Sequence, residues 1–458
     1  MNRFQLAAAA LAIGALSGCS MMPTYERPPA PVAGGWPAPA AATGTPAADL
    51  PWQQFFGDER LRQLIAVALR NNRDLRIAVL NIEQARAQYD IRRADRLPTF
   101  GATVGATRTP SGEDSRTTYT AGLGLSNWEI DFFGRVASLS AAALAQYLAT
   151  EEGRKAAQIS LVASVANTWL ALVADEELLE LTRRTLATRE ESLRLVRLRF
   201  DNGVTSELDV RQAQSLTEAA RVALAQLTRQ RALDLDALAL LLGQPVPPEL
   251  VTEVSTAALR LPDVPAGTPS DVLVRRPDVR QAEQQLVAAN ANIGAARAAF
   301  FPRISLTAGL GAASTELSGL FKGGSWGFTA APQLLQPIFD AGRNRAGLDA
   351  ATAARDIAVA QYERAIQVAF REVSDALAGR ATFGEQLRAQ GQVAEAESVR
   401  HRLSELRYRS GVASSLDLLD AQRSLFAAQQ ALVQTRLQQL QSQVLLYRAL
   451  GGGWTEPM

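Results

Sequence analysis

The sequence is poor in the residues that bind metals and form disulfides: one cysteine, Cys19, and one histidine, His401, in 458 residues. A single thiol excludes an internal disulfide, and a zinc cluster of Cys and His has no ligands to draw on. An excess of charge of one sign is equally missing, because 47 Lys and Arg nearly cancel 46 Asp and Glu. No broad basic face is available for a polyanion, so no nucleic-acid partner is expected. No phosphate-binding loop occurs, and the run Gly451 to Gly453 follows a helical pattern near the C-terminus, where it reads as a stop. His401 lies among Arg400, Arg402 and Glu405 and reads as a solvated side chain rather than a general base. The inventory of an enzyme is missing, and neither metal nor cofactor is expected.

Proline is missing from two blocks, Gly134 to Gly203 and Gly342 to Gly411, where Ala, Leu, Arg, Gln and Glu dominate. Each block is read as one helix, roughly 100 Å long at about 1.5 Å per residue. Globular helices run about 8 to 20 residues, so helices this long need a coiled-coil or bundle partner. The segments that follow carry the seam. Leu418, Ala421, Leu425, Ala428, Leu432 and Thr435 step by three and four, as do Val210, Ala213, Thr217, Ala220, Leu224 and Thr228. Such spacing lays a narrow apolar stripe on a neighbouring helix, whereas a globular core needs a wider face.

The chain also repeats itself. RDLR at Arg73 to Arg76 matches PDVR at Pro277 to Arg280, and Pro98 matches Pro302, at an offset of 204. Beyond Gly309 the offset becomes 208: Gly134 pairs with Gly342, Gly203-Val204 with Gly411-Val412, and Leu242-Gly243 with Leu450-Gly451. The four added residues fall between Gly309 and Gly342, where an exposed loop tolerates a change of length. The first repeat is placed at 52–244, with a helix, a β-hairpin at 99–126, a long helix at 134–201 and its partner at 205–242. A Pro-rich connection at 245–269 leads to the second repeat at 270–451, with a helix, a hairpin at 303–336, a long helix at 342–409 and a partner at 413–450. Residues 452–458 are a tail.

The hairpins show a strand period. Phe100, Ala102, Val104 and Ala106 alternate with Thr99, Gly101, Thr103 and Gly105, and Ile304, Leu306, Ala308 and Leu310 alternate with Ser305, Thr307, Gly309 and Gly311. Strands of about 10 residues cross a hydrocarbon core when tilted. Phe100, Tyr119, Trp128, Phe301, Trp326 and Phe339 suit an interfacial belt. Lipid tolerates a sheet only if it closes, and four strands cannot close. Two chains give eight strands and three give twelve; small Gly, Thr and Ser on the inner face favour the wider ring. A soluble sheet packed on protein satisfies the same alternation.

The N-terminus, MNRFQLAAAALAIGALSGC, has one Arg, an apolar stretch too short to span a bilayer as a mature helix, and small residues before Cys19. Residues 1–18 read as a signal peptide whose LSGC ending resembles a lipobox, making Cys19 the acylated first mature residue. Ser20 rather than Asp follows, which favours sorting to the outer membrane. Residues 19–51 then form a lipid-anchored strap rich in Pro and Ala, read as extended and poorly ordered.

Taken together, these residues resemble the TolC/OprM family of outer-membrane efflux channels, in its NodT-like lipoprotein subfamily. The resemblance runs from about Tyr25 to Leu450 and is carried by PTYERPPAP, by WQQFFGDERLRQLIAVALRNNRDLRIA, by RRPDVRQAEQQLVAANANIGAARAAFFPRISLTAGLG and by GVASSLDLLDAQRSLF. It implies an α+β membrane protein: a trimeric 12-stranded transmembrane β-barrel, four strands per chain, continued by a long α-helical periplasmic barrel of coiled coils. The implied function is the passive outer-membrane duct of a tripartite efflux system for drugs or other toxic small molecules. Its implied partners are two further copies of itself, a periplasmic adaptor protein, an inner-membrane transporter of the RND type, and outer-membrane lipid. An outlet for secreted polypeptides shares the architecture, and a pore-less coiled-coil lipoprotein is the structural alternative.

By the same resemblance the hairpin turns, Gly203, Val204 and Ser206 with Gly411, Val412 and Ser414, meet the adaptor, while Leu416, Asp420 and Arg423 line the periplasmic aperture. Glycine there accepts the left-handed backbone of a helix C-terminus, and the serines cap the helices that follow. Leu416, Asp420 and Arg423 share one helical face, but their counterparts Leu208, Gln212 and Ser215 are uncharged, so only the second repeat supplies an ionic constriction. An ordinary exposed ion pair between Asp420 and Arg423 accounts for the same spacing. The lipobox reading predicts that Cys19→Ser leaves folding intact and reduces membrane attachment; wild-type lipid labelling and sorting of that variant would contradict it.

Overall fold

The structure, a computed structural model, describes residues 20–37, 45–111, 114–251 and 255–454. The helices are α1 (Trp52–Phe55), α2 (Glu59–Asn71), α3 (Arg73–Ala94), α4 (Arg135–Asp201), α5 (Glu207–Leu242), α6 (Pro269–Arg275), α7 (Pro277–Ala298), α8 (Arg343–Arg409) and α9 (Ser415–Ala449). Strands β1 (Phe100–Ser111) and β2 (Asp114–Glu129) lie between α3 and α4; β3 (Arg303–Ser314) and β4 (Trp326–Leu335) lie between α7 and α8. Both α4 and α8 are 67 residues long. Two compact units divide the chain. The first holds the described residues up to Ala30 with Leu80–Glu152 and Arg280–Ala365; the second holds Pro31–Val79, Gly153–Val279 and the described residues from Ile366.

The first unit carries one antiparallel sheet in the order β1-β2-β3-β4. A bulge interrupts the β2–β3 register between Leu125 and Trp128, where Asn127 takes a φ of 53°. No described strand pairs with the outer edge of β1 or of β4, and all ten residues of β4 are exposed. The glycines of β2 and β3 face one another across the ladder, and a Cβ on Gly311 would lie 2.7 Å from the Ala121 carbonyl oxygen and 2.9 Å from the Gly122 Cα. Close strand approach thus requires glycine there, which adds a second cause to the inner-face argument made from sequence. The expected aromatic belt is only partly free. Phe100, Trp326 and Phe339 are more than half exposed, whereas Phe301 is 39% exposed and stacks on Phe133 with centroids 4.8 Å apart at the junction between strand and helix.

The N-terminal segment differs from the poorly ordered strap read from its composition. Asn290 donates to the Pro23 carbonyl oxygen at 2.8 Å, and Tyr25 and Arg27 both donate to Glu283 on α7, at 3.1 and 2.7 Å. Gly294 makes room for it, because a Cβ there would lie 2.8 Å from the Met22 Cα. Prolines and alanines lack side-chain donors, so composition suggests disorder. The holding contacts come from the few other residues and from a helix more than 250 positions away.

The second unit holds the main core. Asp58 caps α2 by accepting from the Arg60 and Leu61 amides, and the helix buries Leu61, Leu64, Ile65 and Ala68. These pack with Phe55, Phe56, Trp169, Leu238, Leu242, Val444 and Tyr447. Phe55 stacks on Tyr447 at 3.9 Å between centroids, and the buried Tyr447 hydroxyl donates to the Leu50 carbonyl at 2.6 Å. Helix α4 includes a stretch apolar enough to cross a bilayer, but its Val162, Val165 and Leu170 are buried in this protein core. Arg276, in the quoted RRPDVR signature, is buried and donates to Asp278, to Glu372 on α8 and to the Ala449 carbonyl of α9, each within 2.7 Å on its shortest contact. A guanidinium suits this place because one rigid fork serves three acceptors. The Gly451 to Gly453 run does more than end a helix: Gln158 on α4 donates to the Gly453 carbonyl at 3.2 Å, docking the segment.

Along α9 the seam buries Leu418, Ala421, Ala428 and Thr435, as spaced in the sequence. Along α5 it buries Ala213, Thr217 and Ala220, but Thr228 is exposed and Leu227 packs inward on Ala174, Leu178 and Val433 instead. Farther along α5, Asp234 is buried and faces Asp175 of α4. Burial, then the Asp234 carboxylate, pushes the Asp175 carboxyl up to about 7.

Two outcomes follow from this packing. Gly311→Val should sharply lower the yield of folded protein in the membrane while Gly327→Val, which meets nothing within 4 Å, leaves it unchanged; equal yields would contradict the close-approach argument. Since Asp175 titrates higher folded than unfolded, the folded state holds an extra proton between about pH 4 and 7, and stability declines as pH rises through that window. Asp175→Asn should therefore stabilise the protein at pH 8 by about 1–2 kcal/mol, discounted for its partial exposure, and by clearly less at pH 5, where only the first part of that window has been crossed. Equal thermal shifts at both pH values would contradict it.

Candidate functional site

Both hairpin turns lie in the second unit and are built alike. At the end of α4, Gly203 has a φ of 71°, its amide donates to the Phe200 carbonyl at 2.8 Å, and the Val204 amide donates to the Arg199 carbonyl at 2.8 Å. At the end of α8, Gly411 has a φ of 74° and the same two bonds run to Tyr408 and Arg407, at 3.0 and 2.9 Å. This pair of bonds is the Schellman arrangement, which needs a residue free to adopt the left-handed conformation. Ser206 and Ser414 then close reciprocal capping boxes with Asp209 and Asp417. The rest of each turn is apolar and open to solvent: Val204, Leu208, Val412 and Leu416 are all more than half exposed.

The two turns also bond to each other through a residue that the sequence reading passed over. Asp209 receives hydroxyls from Thr205 and Ser206, each at 2.7 Å, and a third from Ser415 across the chain. Those donors, Ser415 first, hold its carboxyl well below the usual carboxylate range. Asp417 makes only its own capping box, because the position equivalent to Thr205 is Ala413. Nearby, Arg199 donates to the Tyr408 hydroxyl at 2.6 Å and lies over its ring. A hydroxyl at 415 where the first repeat has Glu207 is the one sequence signal that could have marked this bond.

Leu416, Asp420 and Arg423, the residues expected at an aperture, all lie in the first turns of α9. Leu416 and Arg423 are exposed, and Asp420 is half-buried and bonded to Arg423 one turn on. Asp420 also pairs with Arg400 on α8, which in turn pairs with Glu397 at 3.2 Å. A single chain thus brackets this carboxylate between two guanidinium groups, and Arg400 was invisible to reasoning along one helix. The exposed pairs contribute little to stability on their own. Cys19, the expected lipidation site, lies outside the described residues. Among the described residues no cluster of three metal-binding side chains occurs.

With this geometry in view, the chain was compared with known proteins. The family model for outer membrane efflux proteins matches residues 64–244 and 268–452, one match in each repeat. The antibiotic efflux pump outer membrane protein ArpC and the toluene efflux pump outer membrane protein TtgC, both from Pseudomonas putida, are each 50% identical over 454 residues, covering 96% of this chain and 94% of theirs. The MtrE outer membrane channel of Neisseria gonorrhoeae, in its open state, aligns with a TM-score of 0.89 and 41% identity over 95% of this chain and 99% of that one. Two turns with the same backbone build, a sheet with two open edges and this match along nearly the whole length lead to one assignment: the chain belongs to the outer membrane efflux protein family.

Proposed function

We propose that this protein is the outer-membrane duct of a tripartite efflux system, a passive conduit assembled from three copies and working with a periplasmic adaptor and an inner-membrane RND transporter. The observation that carries the reading is the pair of unpaired sheet edges, β1 and β4. Backbone N–H and C=O groups left open in hydrocarbon each cost several kcal/mol, so the edges must meet edges of other copies. Three copies supply twelve strands and a lumen wide enough for solutes. Lipid on Cys19 adds a second hold on the membrane. The relatives named for toluene and antibiotic efflux support toxic small molecules as cargo. The protein contributes no catalysis; energy enters through its partners.

In this reading the exposed Val204, Leu208 and Val412 at the turns around Gly203 and Gly411 receive the adaptor, since such apolar groups in water favour a partner's apolar surface. Ser206 and Ser414 keep that surface in shape by capping the helices behind it. Leu416 is 57% exposed and packs at the aperture against its copies, with the Arg400–Asp420–Arg423 set around it. Adaptor binding splays the coiled coils and opens this constriction.

Purified wild-type protein should have the mass of three chains and form discrete channels in planar bilayers. The double variant Asp420→Ala, Arg423→Ala should raise single-channel conductance several-fold over the closed wild type. Unchanged conductance would remove the aperture assignment, and a single-chain mass without channels would remove the duct itself.

A further inference from the structure

About 14 residues before the first turn, Arg189 of α4 is 4% exposed and pairs with no described carboxylate. Its Nη1 donates to the Leu216 carbonyl at 3.0 Å, and its guanidinium carbon lies 5.0 Å from the centre of the Phe426 ring. Its Nε–H is buried with no acceptor. A buried cation is normally paired, and one carbonyl with one aromatic face leaves part of this charge uncompensated. Burial accordingly lowers its pKa, with no carboxylate acting in the other direction.

Arg189 opens onto a cavity of about 330 Å³ between α4, α8 and α9. Besides Arg189, the polar side chains around it are Arg184, Thr185, Thr188, His401, Gln422 and Gln429, and no Asp or Glu lines it. Arg184 stands at the rim, largely exposed, 3.4 Å from Glu180, which is outside the lining. Gln422 has a buried Oε1 without a donor; turning the amide by half a turn puts its NH2 in that place. The histidine read from sequence as a solvated side chain is thus half-buried in a basic recess. Repeat symmetry does not explain the arginine. At the 208 offset Arg189 corresponds to Glu397, and Phe426 to Glu218, so the combination exists once per chain.

We propose that this cavity is a binding site for a small oxyanion, a carboxylate or phosphate-type group, taken up from solution by Arg189 with His401 and Gln422 as further donors. The ligand completes the pairing of a cation that the fold leaves buried, and it ties α4 to α8 and α9 close behind the turns. Charge-assisted bonds to a planar guanidinium favour carboxylate and phosphate geometry over chloride.

The test uses the purified full-length protein in detergent, titrated with potassium phosphate and separately with potassium acetate, against potassium chloride at matched ionic strength. Thermal unfolding is followed by circular dichroism. The wild type should show a saturable rise in midpoint with at least one of the two oxyanions, and Arg189→Met, which keeps the volume and removes the unpaired charge, should lose the saturable part. General salting effects move both proteins alike. Arg189→Met should also be at least as stable as wild type in oxyanion-free buffer, an outcome a purely structural arginine does not give. His401→Gln, which keeps Arg189, gives an independent comparison, with phosphate or acetate binding weakened at least about fivefold. The same response in wild type and variant, or no saturable response to either anion, overturns the proposal.

Discussion

The constraint on which the rest of this structure depends is hydrogen-bond valence at the edges of one sheet. Four antiparallel strands satisfy one another internally, but the outer sides of β1 and β4 leave a row of backbone donors and acceptors open. In water such edges would be wetted, twisted away or blocked with charge. Here β4 reads WGFTAAPQLL, with no charged residue, and in lipid only another edge can satisfy it. Assembly is therefore part of the fold. The exposed Leu310, Phe328 and Leu334 are surface that a complete ring turns towards lipid or a neighbour.

The duplication answers a second need, that of carrying 67-residue helices to a common end and turning them back. Each turn solves it in the same way, with a left-handed glycine and a capping serine. Departures from the symmetry are where specific chemistry collects. Asp209 receives three hydroxyls and Asp417 does not; Asp420 is held by two arginines where the first repeat has Gln212; Arg189 is buried where the second repeat has Glu397. The duplication thus supplies the shared scaffold, and the proposed aperture, the Asp209–Ser415 cross-link and the proposed anion site all fall where the repeats differ.

Much of this fold was legible in the sequence because its elements are long and strongly periodic. Alternation at Phe100 to Ala106 marked a strand, missing proline marked the two great helices, and three-four steps at Leu418, Ala421 and Ala428 marked a seam. Contacts distant in sequence were not legible. The strap held by Asn290 and Glu283, the reach of Arg276 to Glu372 and to the Ala449 carbonyl, the Ser415–Asp209 bond and the Arg400–Asp420 pair each join residues 20 to more than 250 positions apart. No periodicity encodes them. Even the seam slipped at Thr228, where packing against Ala174 and Leu178 selected Leu227 over the regular step.

The central claim is that this sheet closes only between copies, and cysteine pairs placed one in β1 and one in β4 test it most directly. Oxidation in native membranes followed by denaturing electrophoresis should yield covalent dimers and trimers, with at least one register along the two strands linking efficiently and no linking in the protein that lacks the added cysteines. A cross-linked product of single-chain mass, or no linking at any register, would contradict the account.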